Sequence, residues 1–267
     1  MITFNIDNIV EYYNEHGQTE WDDADFPNVA PPFLNFMFKF IMPKYIKVQA
    51  TDRMIHPFAG SQWMTVWNAT ETTVKGIQGW FLKAVVSSDI DLDFAIQLFC
   101  DKYGVLQPVL NLRGKQVSSM LSFDEYKKDM SVFERQGYID ACTTIMQPQL
   151  LALSFLHCKN VKTIEVNPNL SLPSRVRRHW EKKGRKPLDN YNIINIYPMN
   201  TPTNNPIHQE TKDSTNNTPK ALTICRGHFK DYRNGKGLFG KYHGIFWIES
   251  FVKDAKKNID VDYKIKL

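Results

Sequence analysis

The segment 225–247 contains residue types that could act on a phosphodiester. In an extended chain, side chains two residues apart lie on the same face of the strand. Arginine and lysine neutralise charge that develops on a phosphate, histidine transfers a proton near neutral pH, and tyrosine donates a hydrogen bond or stacks on a base. His243 could be a second proton-transfer partner at the return of a hairpin. The residues predicted to share one face are Arg226, His228, Lys230 and Tyr232.

These residues suggest a metal-independent ribonuclease, but the same segment also has a structural interpretation. Arg226 and His228 could hold a hairpin together by bonding loop carbonyls. The five glycines of the segment permit tight turns without any role in chemistry. The motif is short, and no second carboxylate or Ser/His/Asp set accompanies it. Both interpretations therefore remain open.

Zinc is another chemistry to consider for this segment. Cys225 lies three positions before His228, but their spacing matches no zinc-finger pattern, and the two side chains would point to opposite faces of a strand. The run Gly235-Lys236-Gly237 lacks the spacing of a phosphate-binding loop. We therefore expect no metal and no cofactor. The further histidines that could complete a zinc site are His179, His208 and His243.

A basic helix is predicted over residues 175–183, with Ser174 as its cap and Gly184 at its end. Val176 and Trp180, four positions apart, would anchor this helix to the core. A row of cations at phosphate-contacting positions would give salt-sensitive affinity that is independent of sequence. A solvated basic helix without a ligand is the alternative. The predicted nucleic-acid-binding residues are Arg175, Arg178 and Lys182 on one helical face, followed by Lys183 and Arg185.

Charge is distributed unevenly along the chain. Residues 1–172 contain 14 Lys and Arg against 19 Asp and Glu, whereas residues 173–267 contain 19 against 9. The two parts thus carry formal charges of −5 and +10, within a net charge of +5. This asymmetry indicates that the second part meets a polyanion. We divide the chain into an acidic, aromatic-rich part, 1–172, and a basic part, 173–267, which could still form one continuous domain.

Hydrophobic and aromatic residues make up 42% and 13% of the chain, which predicts a folded protein rather than a disordered one. The start of the sequence carries carboxylates where a secretory signal needs basic residues, and no apolar run reaches the length of a membrane span. The four cysteines are widely spaced, as in a protein of a reducing compartment. We expect a cytoplasmic protein without a membrane partner.

Periodicity predicts an α+β fold, in which an N-terminal mixed β and helical part packs with a C-terminal antiparallel sheet and one short basic helix. The alternating phenylalanines around Phe38 predict a half-buried strand, and residues 44–88 a small antiparallel sheet. A break or kink is expected at Pro148. Helices are predicted over 7–16, 91–103, 122–133 and 137–157, and C-terminal strands over 191–197, 222–229, 245–251 and 259–265.

Several stretches give the chain a family resemblance. The C-terminal signature consists of RGHF at 226–229, GLFGKY at 237–242 and GIFW at 244–247. The Pro-Pro-Phe run at Pro31, the stretch 150–161 and the basic run 177–196 accompany it. In these stretches the chain resembles a group of uncharacterised proteins of phages and of bacteria that carry phage-like elements. The resemblance implies a phage or mobile-element setting, hence a host cytoplasm, and carries over no catalytic residue.

Three functions follow as hypotheses from these observations. The first is a nucleic-acid-binding accessory protein, for RNA or DNA, that uses a basic C-terminal face. The second is the ribonuclease centred on Arg226 and His228. The third is a phage-encoded protein that binds a host protein through its acidic, aromatic N-terminal part.

Overall fold

The structure, a computed structural model, describes residues 1–16, 26–47, 53–90, 92–107, 132–197, 223–225, 227–238, 240–248 and 251–253. The chain divides into two compact units, one of residues 1–157 and 162–195 and one of residues 158–161 and 196–267. Strands and helices are mixed throughout, so the predicted α+β class is confirmed. The division into domains at residue 172 stays a prediction, and residues 173–195 belong to the first compact unit.

One mixed sheet of eight strands organises the first unit, in the order β8-β7-β6-β5-β2-β1-β10-β9, while β3 and β4 form a separate pair. The strand β1 is parallel to both β2 and β10. Antiparallel pairing joins β2 to β5 and continues through β6 and β7 to β8. The strands are β1 (Ile2–Asn5), β2 (Asn35–Ile41), β3 (Tyr45–Lys47), β4 (Arg53–Ile55), β5 (Gln62–Val74), β6 (Ile77–Ser88), β7 (Phe94–Asp101), β8 (Leu106–Gln107), β9 (Val161–Val166) and β10 (Tyr191–Ile196).

The longest strands, β5 and β6, form a hairpin joined by two residues. Lys75 and Gly76 both have positive φ angles, of 50° and 82°. A two-residue turn of this kind matches the right-handed twist of the flanking strands. The antiparallel pairing predicted within residues 44–88 is confirmed, but these residues do not form one small sheet: β3 and β4 pair separately, and β5 and β6 belong to the eight-stranded sheet.

Helices α1 (Asp7–His16) and α2 (Val132–Leu156) accompany the sheet, and both were predicted, the second from residue 137. Trp67 on β5 is buried, stacks on Phe36 of β2 at 5.9 Å and donates from Nε1 to Oε1 of Gln149 on α2 at 3.1 Å. The alternating phenylalanines of β2 are therefore core residues, as expected. A break or kink was expected at Pro148; the helix α2 continues through this residue, so there is no break.

The helix predicted over residues 91–103 is wrong, because the structure has the strand β7 there. Phe94, Ile96, Leu98 and Cys100 are buried, which is the two-residue period of a strand with one face in the core. Gly104, with φ of 81°, belongs to a turn rather than to a helix end. The helix predicted over 122–133 lies outside the described residues except at its end.

The C-terminal strands differ in part from the predicted antiparallel sheet. The strand β10 was expected there but pairs in parallel with β1 instead. In the second unit, β11 (Thr223–Cys225) pairs with β14 (Phe251–Lys253), and β12 (His228–Asp231) pairs with β13 (Ile245–Ile248), both antiparallel. The predicted strand 259–265 lies outside the described residues.

An asparagine side chain holds the strand β13 in the second unit. Asn160 accepts from the Trp247 amide at 3.0 Å and donates to the Trp247 carbonyl at 2.9 Å. The backbone carbonyl of Asn160 accepts from the Tyr197 amide at 2.8 Å. The Asn160 amide thus bonds both backbone groups of Trp247 as a neighbouring strand would.

His56 is a buried titratable group in the turn that leads to β5. Its side chain is 1% exposed, and Nδ1 accepts from the Phe58 amide at 3.0 Å. Nε2 is buried and has no hydrogen-bond partner in the described part of the chain. Burial lowers the pKa of His56 from 6.5 to about 4.

The burial of His56 predicts a loss of stability in mild acid. The unfolded chain binds the proton below about pH 6.5, whereas the folded chain does so only below about pH 4. Stability should therefore fall as the pH is lowered through this window, with up to about 3 kcal/mol of the loss from His56. His56→Asn retains a hydrogen-bond acceptor for Phe58 but cannot titrate. Urea unfolding between pH 7 and 4 should show a shallower loss in this variant, and equal pH dependence of the two proteins would contradict the prediction.

Candidate nucleic-acid interface

The basic helix lies on a connection between two neighbouring strands of the large sheet. The strands β9 and β10 are adjacent, with β9 last in the order. Between them lie the helices α3 (Pro168–Ser171) and α4 (Ser174–Lys182). We call residues 173–186 the basic arm. Its charged residues are Arg175, Arg177, Arg178, Lys182, Lys183, Arg185, Lys186 and a single carboxylate, Glu181.

Asparagine side chains tie the two ends of this connection together. The Asn169 side chain accepts from the Leu188 amide at 2.8 Å and donates to the Leu188 carbonyl at 2.7 Å. Asn167 accepts from the Asn169 amide nitrogen at 3.0 Å and caps α3. Asn190 Nδ2 donates to Glu165 Oε1 on β9 at 2.9 Å. Hydrogen bonds therefore hold the two ends of the connection together next to the sheet. We call this set of contacts the base of the arm.

All seven arm cations are exposed, and none forms an ion pair within the part of the chain that the structure describes. The three predicted helical contacts, Arg175, Arg178 and Lys182, are spaced by three and four residues on α4. This spacing brings them to one face of the helix. The structure therefore groups them as the sequence predicted and leaves their charge available to a ligand.

Two details of the predicted helix are wrong. No residue of α4 is buried: Val176 is 36% exposed and Trp180 is half-buried. These two side chains therefore do not anchor the helix to a core. The N-cap is Pro173, and no side chain bonds the first turn, so Ser174 is not the cap. Hydrogen bonds at the base of the arm hold the two ends of the connection that carries this helix.

The end of α4 brings Arg185 over Trp180. Gly184 has φ of 60°, which favours glycine, and its amide donates to the Glu181 carbonyl at 3.1 Å. The Arg185 amide donates to the Trp180 carbonyl at 3.1 Å, which completes a Schellman motif. The Arg185 guanidinium lies 5.9 Å from the centroid of the Trp180 ring. Lys183 is the C-cap residue of this turn.

The predicted catalytic residues lie on the β12–β13 hairpin of the second unit, except that Arg226 lies outside the described residues. His228 and Lys230 are two positions apart on β12 and share one face, as predicted. Tyr232 is on the same side, with its ring 6.1 Å from that of Phe246. Lys230 is exposed, and His228 and Tyr232 are half-buried.

His243 lies at the other end of this hairpin from His228. The register pairs His228 with Ile248, whereas the Tyr232 amide bonds the carbonyl of Gly244, next to His243. Four residues of strand separate these levels, on the order of 13 Å. An acid and a base that serve one phosphate each need hydrogen-bonding reach of it. The structure thus brings His228 near Lys230 and not near His243, and a catalytic role for this set stays a prediction.

Metal ligands do not cluster in the described part of the chain, where no three His, Cys, Asp or Glu side chains are placed to hold an ion together. His208 lies outside the described residues. None of the described helices has the length and apolar character needed to cross a membrane.

Comparisons of the chain with protein-family models, with curated proteins and with solved structures found no match. The resemblance to phage and prophage-like proteins therefore stays a prediction.

Sequence reasoning identified the arm cations but missed the groups that hold the arm. We call the two hydrogen bonds between the Asn169 side chain and the Leu188 backbone the Asn169 clamp. It joins residues 19 positions apart, and no local pattern indicates which backbone group an exposed asparagine bonds. The contact of Arg185 with Trp180 had a signal, since a glycine just past a helix end indicates a turn back over the last residues.

The clamp predicts that Asn169→Ala frees the base of the arm. The Leu188 amide loses its acceptor, so its hydrogen exchange should accelerate by at least about tenfold, while global stability changes little because the site is exposed. Asn190→Ala removes a bond to Glu165 and should leave the Leu188 amide protected. Native-state exchange followed by NMR measures both, and unchanged protection in Asn169→Ala would show that the clamp does not hold the arm.

Proposed function

We propose that this protein binds nucleic acid through the basic arm and acts as an accessory protein in the cytoplasm, in a phage or mobile-element setting. One observation carries the binding proposal: seven exposed cations occupy a clamped connection, and none is neutralised by an ion pair within the described residues. The setting rests on the resemblance of the sequence to phage and prophage-like proteins.

The energetics of the arm favour a polyanion as its ligand. Cations crowded on a short segment repel one another, and a single carboxylate, Glu181, does not offset them. Phosphates remove this repulsion and release counterions from the nucleic acid, which drives association. Solubility alone requires positive charge only somewhere on the surface, and it does not explain why seven cations cluster on one connection. The exposed edge of the sheet thus presents a localised positive surface.

The arm also fits the requirement that a binding surface keep its geometry when its ligand is absent. α4 has no buried residue, yet both ends of the connection are fixed by the Asn169 and Asn190 contacts. Fixed ends reduce the conformational entropy that a ligand must overcome. A wholly mobile basic tail would lose more freedom on binding.

Neutralising the arm should weaken binding without unfolding the protein. The triple variant Arg175→Gln, Arg178→Gln, Lys182→Gln removes three candidate phosphate contacts and should lower affinity at low salt by at least about tenfold. Its thermal unfolding should match the wild type, because none of the three side chains is buried. Fluorescence anisotropy with labelled RNA and DNA measures the affinity.

A matched control shows whether a loss of affinity comes from the arm itself or only from the lower net charge of the protein. Lys39→Gln, Lys44→Gln, Lys102→Gln removes the same charge from exposed lysines elsewhere in the first unit, and its affinity should stay within about twofold of the wild type. Equal losses in the two triple variants would argue against the arm as the site. The absence of binding by the wild type at low salt would remove the nucleic-acid proposal and leave a host-protein partner as the alternative.

The same samples separate a binding protein from the ribonuclease alternative. Under the proposal, RNA stays intact on a denaturing gel. Cleavage by the wild type that is lost in a folded His228→Ala variant would instead assign chemistry to the β12–β13 hairpin.

A further inference from the structure

The strongest unexplained feature of the arm is Trp180. This large aromatic residue lies on a helix that has no buried residues. Tryptophan normally stabilises a fold by burying its ring, as Trp63, Trp67 and Trp247 do in this protein. Within the described residues, its ring makes a cation–π contact with the guanidinium of Arg185 and no contact with another aromatic ring. Trp180 is only half-buried, so part of this residue remains open to solvent beside the arm cations.

We propose that Trp180 stacks on an unpaired base, so that the arm binds single-stranded nucleic acid in preference to duplex. This inference rests on the proposed function and specifies its ligand. Aromatic side chains stack on bases of any sequence because every base has a π face, and tryptophan offers the largest such surface among the side chains. In a duplex the bases are already stacked and paired, and a side chain on the protein surface meets mainly the phosphate backbone.

The surroundings of Trp180 suit one nucleotide with its flanking phosphates. Arg177 and Lys183 are three positions before and after it, so they lie on the same side of the helix, about one turn away in each direction. Both are exposed and form no ion pair in the described residues. A base held by the ring would thus place its neighbouring phosphates near cations. The opposite helical face, with Arg178, would add contacts to a longer strand.

The Arg185 contact orders the ring before a ligand arrives. The turn at Gly184 is closed by two backbone hydrogen bonds and places the guanidinium 5.9 Å from the ring centroid. A cation over a ring is attracted by the electrons of its face. A residue of the arm itself therefore contributes to holding the ring. Such preorganisation lowers the entropic cost of stacking.

The test compares a short single-stranded oligonucleotide with the duplex formed by the same sequence and its complement, at one salt concentration. The wild type should bind the single strand more tightly. Trp180→Ala should weaken single-strand binding by roughly tenfold, the effect of losing one base stack, and leave duplex binding nearly unchanged. Trp180→Phe should retain much of the affinity, because a smaller ring still stacks. Val176→Ala, four positions away on the same side of the helix, is the matched control and should have no effect.

The outcomes separate this inference from the proposed function. Equal affinity of the wild type for both ligands, or equal effects of Trp180→Ala on both, overturns stacking but leaves arm binding in place. The absence of any binding by the wild type overturns both proposals. Thermal unfolding of each variant shows whether the fold is intact, and Trp180→Phe provides the comparison should the alanine variant prove unstable.

Discussion

The parallel pairing of β1 with β10 is the constraint on which the first unit depends. The register joins Phe4 to Asn192, and two side chains reinforce it, since Asn192 donates to the Thr3 carbonyl at 3.2 Å and Asn8 to the Ile194 carbonyl at 2.8 Å. Two parallel strands cannot be joined by a tight turn. A longer crossover connection must separate them in the sequence. The pairing therefore draws residues from the basic part into the sheet that the N-terminal strands begin. It also fixes where the chain must enter and leave the basic arm.

The electrostatics of the arm follow from that placement. A connection next to the last strand of a sheet is bordered on one side by solvent, where exposed cations keep their hydration and incur little desolvation cost. Burying the same residues would have required a carboxylate partner for each. The arm must also be held in place, and asparagine side chains at its base do this. Asn169 bonds both backbone groups of Leu188 and adds no charge. The asparagine side chains hold the base of the arm without adding charge, and the arm cations form no ion pair within the described residues.

Local signals predicted much of the fold, and the parts that were missed depend on distant partners. Helix α1, helix α4 and the β5–β6 hairpin follow from periodicity and from turn residues within each segment. In the strand β7 every second residue is buried, but the glycine that follows it, Gly104, is also typical of a helix end. The local sequence therefore allows both a strand and a helix, and pairing with β6 selects the strand. The same reason explains β10, whose alternation predicts a strand and cannot say which strand it joins. Of the candidate site, the cations could be found from sequence, whereas the Asn169 clamp and the partial exposure of Trp180 depend on tertiary structure.

The measurement that tests the central claim most directly is the salt dependence of binding by the wild-type protein. Affinity for a labelled single strand, titrated at increasing salt, reports how many phosphates the protein neutralises, because each contact releases counterions. The seven arm cations, which form no ion pair within the described residues, predict a straight line of log affinity against log salt, with a slope between roughly −2 and −5. A slope near zero, or no binding at the lowest salt, would contradict the account of the arm as a surface that binds phosphates.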